Sequence, residues 1–134
     1  TIVYPEFNRE REELLVNQDH QHHNYSRNCG LDNTLVSWGH DEYLYRVLTD
    51  SNNKNRFPDI AKKIIRYHSL YLWHQNNEYG YLENEQDRLL KPWVQRFNQY
   101  DLYTKENLEK PIHELQDYYQ QLFLKFFDTE YLHF

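Results

Sequence analysis

Apolar positions recur at helical spacing along much of the chain, beginning with residues 31–48. In this stretch one polar residue shares its register with four apolar ones at i, i+4, i+7, i+8 and i+11: Val36, His40, Tyr43, Leu44 and Val47. Residues at these spacings lie on one face of an α-helix, and a soluble protein turns such a face toward its core. The pattern therefore predicts a helix over residues 31–48 in which His40 faces inward.

Two further stretches repeat this pattern and again place a polar group among apolar ones. The second helix is predicted from Ile60, Ile64, His68 and Tyr71, and the third from Leu90, Val94, Phe97 and Asp101. If the third helix continues, Lys105 lies one turn beyond Asp101 on the same side. A last helix with an apolar face is predicted between Leu115 and Phe126, and we expect it to be structural.

Polar and turn-forming stretches separate these helices. Residues 50–59 are rich in Asn, Asp and Ser before Pro58, which suits the first turn of a helix. Residues 74–81 lose the apolar period and include Gly80. Residues 1–27 show a short β-like start and then no consistent period, so we interpret them as an N-terminal loop or extended segment. One helical domain is expected over residues 28–134.

Composition favours an all-α fold, because 3 Gly and 4 Pro beside 13 Tyr and 7 Phe are typical of helices packed through aromatic side chains. The net charge of −6 argues against a nucleic-acid partner, which needs a basic surface. Cys29 is the single cysteine, which excludes an internal disulfide and fits a reducing compartment. Neither a membrane-spanning apolar run nor a signal-peptide pattern is visible, so we expect a cytoplasmic protein without a membrane partner.

The three polar groups on apolar faces, His40, His68 and Asp101, are all able to bind a metal ion. Burial of such groups is unfavourable unless each has hydrogen bonds, a charge partner or a metal. One shared ion would satisfy all three, and non-haem iron uses two imidazoles and a carboxylate while keeping positions open for substrate and dioxygen. Alternatively, each histidine is a core residue hydrogen-bonded to a backbone carbonyl. Periodicity alone does not decide between these interpretations.

Three blocks of the sequence resemble, in order and spacing, blocks of myo-inositol oxygenases: CGLDNTLVSWGHDEYLYRVL (residues 29–48), IRYHSLYLWH (65–74) and WVQRFNQYDLYTK (93–105). The likeness extends from about Asn28 to the end. It implies an all-α, HD-domain-like helical bundle, of which this sequence holds the C-terminal half. It also implies an enzyme that opens the ring of myo-inositol with dioxygen, giving D-glucuronate at a site with two non-haem iron ions.

The resemblance also assigns roles to individual residues. The family's iron ligands are matched by His40, His68 and Asp101. Its substrate-binding residues are matched by His68, Ser69 and Lys105. Lys105 is expected to be catalytic, because a nearby ammonium stabilises the alkoxide that a polyol forms on losing a hydroxyl proton.

The sequence departs from the family pattern mainly in what it lacks. The remaining ligands, including the His-Asp pair that gives the HD fold its name, are not supplied by residues 1–27, since the histidines at 20–23 sit in a polar loop. Leu72 stands where the family usually has proline, which bears only on local helix geometry. Asp41 and Glu42 are expected beside the site or at the surface. We expect the missing N-terminal half, or a complementary chain, as a partner.

The family resemblance and the missing metal ligands together leave three candidate functions. In the first, the chain is catalytic as part of a complete inositol oxygenase. In the second, it is a non-enzymatic truncated homologue or helical interaction module that lacks half the metal ligands. The third, an HD-type phosphohydrolase, ranks last because it needs the same missing pair and because few basic residues are available to hold a phosphate.

Overall fold

The computed structural model describes residues 25–36, 38–101, 112–128 and 131–133. Within them it contains five α-helices, labelled α1 (His40–Thr49), α2 (Asp59–Tyr67), α3 (Tyr71–His74), α4 (Glu85–Asp101) and α5 (Ile112–Phe126). The predicted all-α class is confirmed. The predicted N-terminal loop lies almost wholly outside the described residues. Across the described part of the chain, no helix combines the length and the apolar content needed to cross a membrane.

The first helix is shorter than predicted. Residues 31–33 form a separate 3-10 turn, Leu31–Asn33, and α1 begins only at His40. Gly30, before the turn, has a φ of 87°, and the chain is extended at Thr34 and again at Gly39. Val36 therefore lies outside α1, in the connection between the 3-10 turn and the helix.

The second predicted helix is interrupted near its end. The turn-forming residues 50–58 connect α1 to α2 as predicted, and Pro58 directly precedes α2. The helix ends at Tyr67, because Leu70 adopts a non-helical φ of −81° and ψ of 59° before α3. His68 is consequently the residue that caps the C-terminal end of α2.

The core forms where α2, α3 and α4 meet beneath the 3-10 turn. Its buried apolar side chains are Leu31, Tyr67, Trp73, Leu82, Leu90 and Val94. The two large aromatic residues keep their polar ends satisfied: the Tyr67 hydroxyl donates to Asp32 at 2.7 Å, and Trp73 Nε1 donates to Glu83 Oε1 at 2.7 Å. α1 packs against α2, and α4 packs against both α2 and α3.

A reciprocal capping arrangement begins α4 and fixes the 3-10 turn to it. The Asp87 backbone N–H donates to Asn84 Oδ1 at 3.0 Å, and the Asn84 N–H donates to Asp87 Oδ2 at 3.0 Å. Asp87 Oδ2 also accepts from the Leu31 N–H at 2.9 Å. Gly30 is required at this junction because a Cβ there would lie 2.2 Å from Asn84 Nδ2.

The last helix was predicted between Leu115 and Phe126, and α5 is found there. Its C-terminal end packs against the connection between α1 and α2. The Arg56 N–H donates to the Phe126 carbonyl at 2.7 Å, and the rings of Phe57 and Phe126 stack with centroids 4.9 Å apart. These contacts hold the connection that positions α1 relative to α2.

Candidate metal and substrate site

The two histidines predicted as metal ligands lie next to each other. The Nε2 atoms of His40 and His68 are 3.0 Å apart. Their rings meet edge to face, with centroids 5.0 Å apart. His40 is the first residue of α1 and His68 follows the last residue of α2, so the packing of these two helices brings the rings together.

His40 does not face inward, and that part of the sequence prediction is wrong. The residue is exposed, whereas His68 is half-buried. The physical reason is that α1 begins at His40, so this histidine lies at the exposed N-terminal end of the helix. The core face of α1 is formed further along by Val47 and Leu48. The histidine pair therefore lies at the surface of the described residues, within reach of solvent and of a bound ion.

A backbone hydrogen bond fixes the orientation of His68. Its Nδ1 lies 2.6 Å from the carbonyl oxygen of Ile65. A carbonyl oxygen only accepts, so Nδ1 carries the proton, and the lone pair of the neutral ring is on Nε2. His40 Nε2 then donates across the 3.0 Å contact. Transfer of the His40 proton to its own Nδ1 would leave two Nε2 lone pairs side by side.

This donor set fits a divalent transition-metal ion. Imidazole nitrogen is a good ligand for iron and related ions. A ligating imidazole nitrogen lies about 2.1 Å from such an ion, so two neighbouring nitrogens at right angles around an octahedral ion are about 3.0 Å apart. The Nε2 atoms of His40 and His68 already have that separation, 3.0 Å. Phe97 of α4 packs edge-on against His68, with centroids 5.9 Å apart, and gives the pair an apolar neighbour.

Asp101, the third predicted ligand, is not brought into this pair. It is the last residue of α4 and is exposed. Within residues 25–36, 38–101, 112–128 and 131–133, no three His, Cys, Asp or Glu side chains are grouped closely enough to hold a metal. The inward position predicted for Asp101 is wrong, because the last buried residue of α4 is Asn98 and the helix end that follows it is exposed. Lys105, the predicted catalytic and substrate-binding residue, lies outside the described residues.

Ser69, predicted to bind substrate, is half-buried next to His68. Its hydroxyl donates a short hydrogen bond to Oδ2 of Asp41. Asp41 is 7% exposed, so of its two expected positions it takes the one beside the site and not the one at the surface. Its other oxygen, Oδ1, accepts from the backbone N–H of Glu42 at 2.8 Å.

A buried ion pair joins α1 to α2 beside the histidines. Arg66 Nε donates to Glu42 Oε2 at 2.7 Å, and Arg66 Nη1 donates to Asp32 Oδ1 at 3.0 Å. Burial by itself would lower the pKa of Arg66, but the hydrogen bond to Glu42 and the electrostatic interactions with Glu42, Tyr67 and Tyr45 together outweigh it, and the pKa is raised. Sequence reasoning did not single out Arg66. Arg66 stands two positions before His68, and Glu42 stands two positions after His40. This placement of opposite charges beside the two histidines is the sequence signal that could have identified Arg66.

His74 supports His68 from the core side. Its Nε2 donates to the backbone carbonyl of His68 at 2.9 Å, and its ring is fully buried. Burial lowers the pKa of His74 below its ordinary value despite this hydrogen bond. The ring is therefore neutral at pH 7, and it holds the backbone of a predicted metal ligand in place.

A family model described as myo-inositol oxygenase matches residues 1–134. The chain belongs to the myo-inositol oxygenase family. The match includes residues 1–27, beyond the blocks that carried the resemblance in the sequence.

Curated members of this family align with the greater part of the chain. Inositol oxygenase of Danio rerio is 48% identical over 102 residues, which are 76% of this chain and 36% of that protein. Inositol oxygenase of Sus scrofa is 49% identical over 102 residues, again 76% of this chain and 36% of that protein. That of Dictyostelium discoideum is 44% identical over 106 residues, 79% of this chain and 36% of that protein. The chain spans about a third of the length of these relatives.

Membership in the myo-inositol oxygenase family confirms the resemblance on which the site prediction rested. The roles of His40, His68, Asp101, Ser69 and Lys105 remain predictions. The structure adds that two of the three predicted ligands have their Nε2 atoms in contact. It also adds two supporting side chains: Asp41 accepts a hydrogen bond from Ser69, and His74 donates one to the backbone carbonyl of His68.

Proposed function

We propose that this chain supplies iron ligands and substrate-binding residues to an inositol oxygenase, an oxidoreductase of inositol catabolism. The reaction converts myo-inositol and dioxygen to D-glucuronate and water, at a site with two non-haem iron ions. The observation that carries the proposal is the contact between the Nε2 atoms of His40 and His68, 3.0 Å apart, in a chain of this family. Relatives at 44–49% identity are named inositol oxygenase.

In this proposal the histidine pair binds one iron ion. The hydrogen bond from His68 Nδ1 to the Ile65 carbonyl, 2.6 Å long, directs the His68 lone pair at the ion and leaves the ring little freedom to turn. His74 fixes the same residue through its backbone carbonyl. Iron supplies dioxygen activation when bound. Asp101, exposed at the end of α4, is proposed as a further ligand.

The substrate is a polyol, and the chain offers polar groups suited to one. Ser69 lies directly after His68, so a ring hydroxyl near the iron would also be near a serine hydroxyl. Lys105 is proposed to stabilise negative charge on a substrate oxygen as its proton leaves. Phe97 contacts His68 edge to face and provides an apolar surface on one side of the pair.

The proposal extends to the parts of the protein that complete the site. We place the helices in an HD-domain-like bundle in the cytoplasm, and we place the remaining iron ligands in the other half of an inositol oxygenase or in a complementary chain. The exposure of His40 is compatible with a site completed from outside the described residues.

The experiment measures iron content and D-glucuronate production from myo-inositol and dioxygen. It uses the longest natural form of the protein that contains this sequence, with His40→Ala and His68→Ala as test variants. Each variant is expected to lose iron and to lower D-glucuronate production by at least about 100-fold, the upper end of what loss of a supporting ligand contact costs. His113→Ala, at an exposed position on α5, is the matched control and is expected to keep both properties.

Three outcomes would contradict the proposal. A wild-type protein that binds iron but yields no D-glucuronate would be a member of the family with another function. A wild-type protein that binds no iron would be the non-enzymatic homologue or interaction module. Unchanged iron content in both histidine variants would remove the pair from the site even if the protein is active.

A further inference from the structure

The hydrogen bond between Ser69 and Asp41 determines how Ser69 can bind a substrate. A serine hydroxyl has one proton to donate and oxygen lone pairs that accept. In this structure the proton is directed to Oδ2 of the Asp41 carboxylate, which accepts only. The Ser69 oxygen therefore has only acceptor capacity left for a ligand.

The Asp41 carboxylate is held so that it cannot turn away from Ser69. Oδ1 accepts the Glu42 backbone N–H at 2.8 Å, and Oδ2 accepts from Ser69. Oδ1 also lies so close to Gly39 that a Cβ on that glycine would be 2.6 Å from it. The residue is 7% exposed, so water offers Asp41 few alternative partners. Each oxygen thus has a fixed donor.

We infer that Asp41 is a positioning residue that commits Ser69 to accept a hydrogen bond, so the site binds its polyol through a ring hydroxyl that donates. This inference rests on the proposed function and deepens it, because it names a requirement on the substrate. If the corresponding hydroxyl of a polyol is replaced by an atom without a proton, that atom would face the lone pairs of the Ser69 oxygen and could not donate a hydrogen bond to them.

An isosteric variant reverses this hydrogen bond. In Asp41→Asn, the amide oxygen must remain at the Oδ1 position, because only an acceptor can face the Glu42 N–H. The amide NH₂ group then occupies the Oδ2 position and donates to Ser69. The Ser69 proton is released and becomes available to a ligand. Asp41→Asn should therefore convert Ser69 from an acceptor to a donor with almost no change of shape.

The probes are myo-inositol, its monodeoxy analogues and its monodeoxy-monofluoro analogues, one ring position at a time. Fluorine accepts a hydrogen bond weakly and donates none, and a deoxy position does neither. Dissociation constants are measured by calorimetry without dioxygen on the iron-loaded full-length protein, and kcat and KM are measured in parallel. The ring position that contacts Ser69 is the one at which Ser69→Ala abolishes the difference between myo-inositol and its analogues.

At that position the wild-type protein is expected to bind both analogues on the order of tenfold more weakly than myo-inositol, the loss that one unmade hydrogen bond produces. The fluoro analogue should bind no more tightly than the deoxy analogue, because fluorine faces the Ser69 lone pairs. In Asp41→Asn the order should reverse, with the fluoro analogue the tighter of the two. A purely structural role for Asp41 would weaken all ligands together and leave the order unchanged.

The order measured on the wild-type protein decides the inference even if Asp41→Asn does not fold. Tighter binding of the fluoro analogue by the wild-type protein would mean that Ser69 donates, and would overturn it. An unchanged order in a folded Asp41→Asn variant would also overturn it. A wild-type protein that neither binds nor converts myo-inositol would instead reject the proposed function, and the inference with it. Normal wild-type turnover with the wrong analogue order would reject the inference alone.

Discussion

Glu42 of α1 and Arg66 of α2 form a buried ion pair, with Arg66 Nε 2.7 Å from Glu42 Oε2, directly beside the contact between His40 and His68. Residues 40, 41 and 42 of α1 each reach across to α2 or to the residues that follow it. Their partners are His68, Ser69 and Arg66, respectively. The ion pair therefore helps to set the distance between the two predicted iron ligands, as well as joining two helices.

Removal of one partner of this pair should destabilise the fold strongly. Glu42→Ala leaves the Arg66 guanidinium largely buried without its main carboxylate, and we expect the free energy of unfolding to fall by about 3–5 kcal/mol. Urea unfolding at pH 7, followed by circular dichroism, measures the change. Glu78→Ala, at an exposed glutamate in the turn after α3, is the matched control, with an expected effect within about 0.5 kcal/mol.

A double variant separates loss of the pair from loss of one partner. Glu42→Leu combined with Arg66→Met removes both charges and keeps apolar volume, so it should be less destabilised than Glu42→Ala. A double variant as unstable as the single one would mean that the pair itself, and not the unpaired guanidinium, is responsible. Glu42→Ala with the stability of Glu78→Ala would contradict the burial of this pair.

The sequence predicted the existence of the helices better than their ends. Periodicity located α2, α4 and α5 because long amphipathic stretches carry their own register. It extended the first helix back to Leu31 because Val36 happened to fall in phase with His40. The backbone conformations at Gly30 and Gly39 instead separate the 3-10 turn from α1. A period of apolar residues carries no information about where one element ends and the next begins.

The same limit explains what was right and wrong about the site. His40, His68 and Asp101 were noticed because they stand in apolar registers, and the family resemblance selected the same residues. The prediction assumed that a residue in the same helical register as apolar residues is buried. His40 and Asp101 are in such registers but are exposed, because each lies at the end of a helix. The contact of His40 with His68, and that of Ser69 with Asp41, depends on how α1 crosses α2. Such a crossing is a tertiary feature that one chain's local pattern does not contain.

The acid stability of the protein should depend on Glu83. Burial would raise the pKa of this carboxyl, but the hydrogen bonds from Lys91 and Trp73 and the positive charges of Lys91 and Arg88 together outweigh burial and hold the pKa below its usual value of 4.5. A lowered pKa in the folded state means that the stabilisation is complete above the unfolded-state value and is lost as the pH falls through the folded-state value. The free energy of unfolding should therefore decrease below about pH 4.5.

Glu83→Gln isolates this contribution. At pH 7 the variant should be less stable than wild type by about 1.5–3 kcal/mol, since it loses charge-assisted hydrogen bonds. Its stability should then decrease less steeply than that of wild type as the pH is lowered. Urea unfolding between about pH 7 and about pH 3 provides both values. Glu114→Gln, at an exposed carboxyl on α5, is the control, and parallel curves for wild type and Glu83→Gln would contradict the argument.

Two adjacent leucines on α4 give a direct test of the core. Leu90 is 4% exposed among the core side chains, whereas its neighbour Leu89 is 69% exposed. Leu90→Ala should reduce the free energy of unfolding by about 2–5 kcal/mol, because it removes buried apolar surface and leaves a cavity. Leu89→Ala, the same substitution one position away, should change it by less than about 0.5 kcal/mol. Urea unfolding of the two variants side by side checks the orientation of α4, and equal losses would show that the helix is turned differently.

The histidine pair makes a prediction that needs neither substrate nor turnover. Without metal, and at a pH where both rings are neutral, His68 should carry its proton on Nδ1, because that nitrogen donates to the Ile65 carbonyl. His40 should carry its proton on Nε2, because it donates to His68 across 3.0 Å. Two-bond proton–nitrogen correlation spectra of protein with ¹⁵N-labelled histidine distinguish these tautomers.

Addition of Zn²⁺ should leave the His68 proton on Nδ1 and move the His40 proton to Nδ1, since both Nε2 atoms then bind the ion. The exposed His113 of α5 should keep its spectrum and serves as the internal control. If His40 retains its Nε2 proton at saturating Zn²⁺, the two histidines do not share a metal ion, and their contact is a hydrogen bond between helix ends.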